Sequence, residues 1–189
     1  MKQQLASLAL VISILYACNA KSAEDTIVIN NSIYSTAIKF SKSKLWIYDA
    51  SYYKIPYPNG DVPSGGACTD VVIRVLRDNG IDLQKEVHES MLKNFALYPN
   101  KWGLKKPDAN IDHRRVPNLM VYFNLKGYTV KDFKPGDIIC WELSPGITHI
   151  GILLTDESVY HNIGPMAKID KDFLFSYKII GHYRIKQKI

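Results

Sequence analysis

Before Asp137 the chain reads almost entirely as helices and after it as strands, and this segregation limits the fold more than any other feature of the 189 residues. The runs Asp137–Leu143, His149–Leu154, Ser158–His161 and Tyr177–Ile185 are rich in β-branched and aromatic residues, with turns at Lys134-Pro135-Gly136 and Ser144-Pro145-Gly146. Upstream, the apolar residues recur at helical spacing. Ile27–Phe40 sets Ile33, Ala37 and Phe40 four and three apart, and Cys68–Gly80 gathers Val71, Val72, Val75 and Leu76 on one face, with Asn79-Gly80 as its C-terminal cap. Asp82 caps a helix through Val87, Met91 and Phe95, and Pro117 suits the first turn of a helix over Val116–Lys126. Leu45–Tyr48 is a short β-prone run that leads through the turn-rich Pro58–Pro63 to Cys68. Helices followed by antiparallel strands predict an α+β domain, with N-terminal helices packed on an antiparallel sheet.

The first twenty residues stand apart. Lys2, the apolar run Leu5–Tyr16 and the small residues ending at Ala20 form a signal-peptide pattern for export to the periplasm, the cell envelope or the medium. Leu15-Tyr16-Ala17-Cys18 also fits a lipobox, apart from Tyr16, so cleavage after Ala20 and lipid anchoring at Cys18 both stand open. The remaining 21–189, in a chain 47% hydrophobic and 22% charged, suit one globular domain. No later run is long enough for a transmembrane segment. The formal charge of +6 is mild and scattered through pairs such as Lys105-Lys106 and Arg114-Arg115, without the basic helix or aromatic interleaving of a nucleic-acid binder. There is no His-Glu-x-x-His, close cysteine pair, phosphate loop or dinucleotide fingerprint, so neither a metal nor an organic cofactor is expected.

Cys68 starts a helix, where unpaired N–H groups and the helix dipole favour thiolate. Ser64-Gly65-Gly66-Ala67 before it is a turn of small residues that lets substrate backbone approach, and His149 on a strand supplies a base. Cys68 and Cys140 could instead form one structural disulfide in an oxidising compartment. A hairpin around Ser144-Pro145-Gly146 sets Cys140 roughly opposite His149, near enough to Cys68 for a redox-sensitive bond, unless Cys140 is simply a small buried hydrophobe. Asp70 faces three roles: fold stabiliser, anchor for a substrate amine, or like charge against a thiolate. Within Asn110–Arg115, the residues Asp112, His113, Arg114 and Arg115 either bind a substrate carboxylate or phosphate, or anchor a loop as a buried ion-pair network. His88 and His182 read as structural.

The order Cys68-Thr69-Asp70-Val71-Val72, Pro135-Gly136-Asp137-Ile138, His149-Ile150-Gly151-Ile152 and Tyr160-His161 resembles the papain-like superfamily in its compact NlpC-type form. A closer likeness is to the YijF-like family of secreted bacterial proteins, catalogued as a domain of unknown function. It is carried by Gly60-Asp61-Val62-Pro63 through Arg74, by Pro107–Leu119, by His161-Asn162-Ile163-Gly164 and by Gly181-His182-Tyr183-Arg184. The resemblance implies a papain-like, NlpC-type fold over 21–189. It also implies a cysteine hydrolase in which His149 deprotonates Cys68 and His161 orients His149, acting on an amide of peptidoglycan stem peptides. Ala67 departs from the acid usual before the cysteine, and Thr69 and Asp70 stand where Ser and Gly are common. A deamidase, transglutaminase or acyltransferase on the same triad, or a non-catalytic envelope-binding protein with a structural disulfide, remains a rival reading.

Overall fold

The computed structural model describes residues 30–155 and 157–186. The leader, Cys18 and the start of the first helix at Ile27 lie outside the described residues. Among the described residues four α-helices precede the sheet: α1 (residues 30–43), α2 (Cys68–Asp78), α3 (Leu83–Asn94) and α4 (Val116–Leu125). Their ends follow local chemistry. Gly80 takes φ 79° just past α2, the Asp82 carboxylate accepts the Lys85 N–H at 3.2 Å to cap α3, and Pro117 occupies the first turn of α4. No described helix is long and apolar enough to cross a membrane.

Five strands follow, β1 (Ile138–Ser144), β2 (Ile147–Leu153), β3 (Val159–Ile163), β4 (Met166–Asp170) and β5 (Lys178–Tyr183). They form one antiparallel sheet in the order β4-β3-β2-β1-β5. The α+β architecture expected from the sequence is the one formed. The sheet has two buried faces, because side chains alternate along each strand. Ile138, Cys140, Ile150, Ile152 and Tyr160 pack against the apolar face of α2 in the main core. Ile139, Trp141, Leu153 and Val159 meet Phe173 and Leu174 in a smaller core on the far side.

Three details differ from expectation. β4 is a strand that the pattern Met-Ala-Lys-Ile-Asp does not announce. Leu45–Tyr48 makes no full strand, but isolated bridges join Ile47 to Met166 and Tyr48 to Gly66, so this segment straps the outer side of β4. In the β1–β2 hairpin, Trp141 rather than Cys140 lies opposite His149, and Cys140 pairs with Ile150. The ladder shifts between Glu142 and Ser144, and a slip of one residue exchanges the two faces of a strand.

Candidate functional site

Cys68 sits at the start of α2 behind a glycine elbow. Gly65 and Gly66 take φ 59° and 143°, and a Cβ on Gly66 would lie 2.6 Å from that of Asp70. The elbow is clamped from both sides: the Gly66 N–H donates to the Ile47 carbonyl at 3.0 Å, and the Gly66 carbonyl accepts from Asn162 Nδ2 at 2.7 Å. The ladder between β2 and β3 covers only Gly151–Leu153 and Val159–His161, so Ile150 and His149 lie past its end. There the Ile150 backbone comes near Cys68 and favours its thiolate.

Burial raises the Cys68 thiol to about 11, against the lowering by backbone donors from Ile150, Thr69 and Cys68 itself. The helix-start donors anticipated from the sequence are present, but desolvation outweighs them. Cys68 is therefore a neutral thiol at rest.

On the far face of the sheet three side chains from adjacent strands form a chain. His149 Nε2 lies 2.8 Å from His161 Nδ1, and His161 Nε2 lies 2.9 Å from the Asp170 carboxylate. Gly151, directly opposite His161, makes room: a Cβ there would press against the His161 Cβ at 3.0 Å. Phe173 lies 4.3 Å from the His161 ring, and Trp141 lies 5.9 Å from that of His149.

The proton order follows from the acid end. Burial raises the Asp170 carboxyl, but donation from Lys168 and His161 holds it below its ordinary value, so it is an acceptor. His161 then carries its proton on Nε2 and offers the Nδ1 lone pair to the Nε2–H of His149. The remaining nitrogen, His149 Nδ1, is left as an unprotonated base with no hydrogen bond among the described residues. Burial, with the His161 ring adding to it, lowers His149 to about 3, so the imidazole is neutral. No hydrogen bond joins the Cys68 thiol to His149 among the described residues.

Asp170 is the functional candidate that sequence reasoning missed. Its signal was the spacing Lys168-x-Asp170, which puts both side chains on the face of His161 once β4 is known to be a strand. Tyr48 was missed as well. It bridges to Gly66 in the elbow before Cys68, and burial raises its phenol, with Cys68 and Asp70 adding to that.

The other candidates are held in structural pairings. Asp70 is gripped by Arg114 through Nε and Nη2, both at 2.9 Å, and accepts the Ala67 N–H at 2.6 Å. Arg114 also donates to the Ser51 carbonyl at 2.7 Å, and its own carbonyl accepts from the Thr69 hydroxyl. Asp112 is buried and accepts the Asp108 N–H. His113 is buried, its Nδ1 has no partner, and desolvation lowers it to about 3. Asp112, His113 and Arg114 are all buried, with Arg114 paired to Asp70, Asp112 to Arg115, and His113 without a hydrogen bond among the described residues. Most of the Arg115 donors are also unpaired there. His88 packs edge-on to Tyr57, and His182 bonds the Asp137 carboxylate at 2.8 Å.

Both cysteines are free. Cys140 is fully buried on the helix face, and desolvation, with Cys68 adding to it, pushes its thiol well above the ordinary value. Among the described residues no cluster of three or more His, Cys, Asp or Glu side chains could hold a metal ion.

His113 and His149 have a measurable consequence. Both titrate near 6.5 when unfolded and at about 3 when folded, so the unfolded chain binds more protons between these values. Their stabilisation is complete above about pH 6.5 and is lost as the pH falls towards 3. Each group contributes a slope of about 1.4 kcal/mol per pH unit in that window. Urea titrations from pH 7 to 4 are expected to show this fall, and His113→Leu to flatten it by about one proton. A slope unchanged in that variant contradicts the assignment.

Residues 35–185 match the family described as "Domain of unknown function (DUF1287)". The chain is 49% identical over 150 residues to the "Uncharacterized protein YijF" of Escherichia coli (strain K12), which spans 72% of this chain and 73% of that relative. Two solved structures from Trichomonas vaginalis align with this chain. NlpC2 aligns at 14% identity with a TM-score of 0.47 over 83% of this chain, and NlpC1 at 16% and 0.48 over 80%. The chain spans 47% and 44% of their respective lengths.

Proposed function

Because this chain belongs to the DUF1287 family, whose description is a domain of unknown function, its chemistry has to be read from the site, and we propose that it is a papain-like cysteine hydrolase acting by acyl transfer. The observation that carries this is the chain Asp170–His161–His149, which leaves His149 Nδ1 as a free base on the residue next to Ile150, whose backbone favours the Cys68 thiolate.

In this reading His149 Nδ1 takes the Cys68 proton when substrate arrives, and the sulfur attacks an amide carbonyl. The N–H groups at the start of α2 stabilise the oxyanion. The imidazolium formed keeps its Nε2 proton in the hydrogen bond to His161, itself held by Asp170, and returns the proton taken from Cys68 to the leaving amine. Water then attacks the thioester with His149 again as base, releasing a carboxylate and the free thiol. The resting pair is neutral, because burial raises Cys68 and lowers His149. The proton therefore moves during attack rather than before it.

The leader pattern suggests an exported protein, and an envelope location makes the stem peptides of peptidoglycan the proposed substrate. The test is to incubate the protein with peptidoglycan under mild reduction and identify released fragments by mass spectrometry. Fragments carrying one new amine and one new carboxylate, absent with Cys68→Ala, are expected. In parallel, iodoacetamide labelling of Cys68 should be slow at neutrality and rise about tenfold per pH unit as thiolate forms. If neither peptidoglycan nor any peptide amide is cut in a Cys68-dependent way, the reading fails.

A further inference from the structure

The connection between α3 and α4 closes over a cavity of about 270 Å³, none of whose lining residues belongs to the Cys68–His149 assembly. Met91, Phe95, Trp102 and Leu104 supply apolar walls, and Arg115 and Asn118 supply a polar one. This is room for a single amino-acid residue rather than an extended ligand.

The polar wall is incompletely satisfied. The Arg115 guanidinium lies over the Trp102 ring at 4.0 Å, and its side chain is 16% exposed. Its ion pair with Asp112 spans 3.5 Å, the outer limit of a hydrogen bond, while the other Asp112 oxygen accepts the Asp108 N–H. Most of the five donors of the fork are thus unused. Desolvation pushes the guanidinium below its ordinary value, and Asp112 and Asp108 offset only part of that. Close by in sequence and on the same wall, Asn118 donates Nδ2 to the Asp112 carbonyl at 3.0 Å but leaves its buried Oδ1 without a partner. A donor fork with most of its donors unused thus faces an otherwise apolar cavity, and the unpaired Asn118 Oδ1 is sealed in the wall behind it.

We propose that this cavity binds the C-terminal residue of an N-acylated amino acid or peptide. Its carboxylate pairs with Arg115, acylation keeps a charged ammonium out of the apolar walls, and its apolar or aromatic side chain packs among Phe95, Trp102 and Leu104. The assignment stands whether or not Cys68 is a nucleophile, since it uses none of the same groups.

The test follows the Trp102 indole N–H and Arg115 Nε–H resonances of the ¹⁵N-labelled protein during titration with N-acetyl-phenylalanine. N-acetyl-phenylalaninamide serves as the neutral control, and a short peptide ending in phenylalanine separates a free amino acid from a peptide terminus. Saturable shifts at both resonances are expected, with affinity about tenfold weaker for the amide and for Arg115→Gln. Leu104→Trp, which fills the cavity and leaves the guanidinium in place, should abolish binding even if Arg115→Gln loosens the loop. Equal binding of acid and amide, unchanged affinity in Arg115→Gln, binding that survives Leu104→Trp, or no saturable shift at these two resonances overturns the proposal.

Discussion

Cys68→Ala and His149→Ala are each expected to lower the rate of amide cleavage by about three orders of magnitude or more, and the double variant to be no slower than either single one. In the proposed mechanism the thiol supplies the bond-forming atom, and the imidazole must take and return the proton in the same step. Loss of either disables the same machine, so their effects do not add. His161→Phe and Asp170→Ala should be milder, because His149 keeps its ring and loses only the partner that fixes its proton on Nε2. Single-turnover rates with a defined amide substrate give the ranking. A double variant that is far slower than both single ones would mean that Cys68 and His149 serve separate steps.

Arg114→Met should lower stability by about 3–5 kcal/mol, because it leaves the Asp70 carboxylate buried without its partner. For a domain of this size that corresponds to a fall in Tm of about 10 °C. The pair also carries the glycine elbow before Cys68, since Asp70 accepts the Ala67 N–H and Arg114 ties the same region to the Ser51 carbonyl. Replacing both partners, as Asp70→Leu with Arg114→Met, should restore most of the lost stability, because no lone charge is then buried. Thermal melts of the three variants decide it. A double variant as unstable as Arg114→Met would show that the loss comes from the other Arg114 contacts.

The fold was readable where periodicity is strong and uninterrupted. The α2 face of Val71, Val72, Val75 and Leu76 is buried as its spacing requires, and α4 begins where Pro117 permits. β4 was unreadable because its residues are half polar: its strand character comes from pairing with β3 rather than from composition. The β1–β2 turn was located correctly, but its bulge was not, and that one residue decides which face Cys140 takes. The order Cys68, His149, His161 was legible in the chain, whereas Asp170 depended on the unseen strand. The acidity of Cys68 was misjudged for a different reason. A helix start is visible in sequence, but the depth at which it is buried is a property of the whole packing. Burial likewise turned the cluster Asp112, His113 and Arg114 inward, a choice that residue types alone left open.

The relay from Asp170 to His149 runs across strands rather than along one, so it persists only while the lateral ladder persists. Its acidic end sits on β4, the outermost strand, which would otherwise fray first. The strap at Trp46–Tyr48 staples that border: the Trp46 carbonyl accepts the Ala167 N–H at 2.8 Å, and the Tyr48 N–H donates to Pro165 at 2.8 Å. A segment that touches neither imidazole thereby governs how long the proton wire stays assembled between openings, and amide exchange at Ala167 is the clock that reads it.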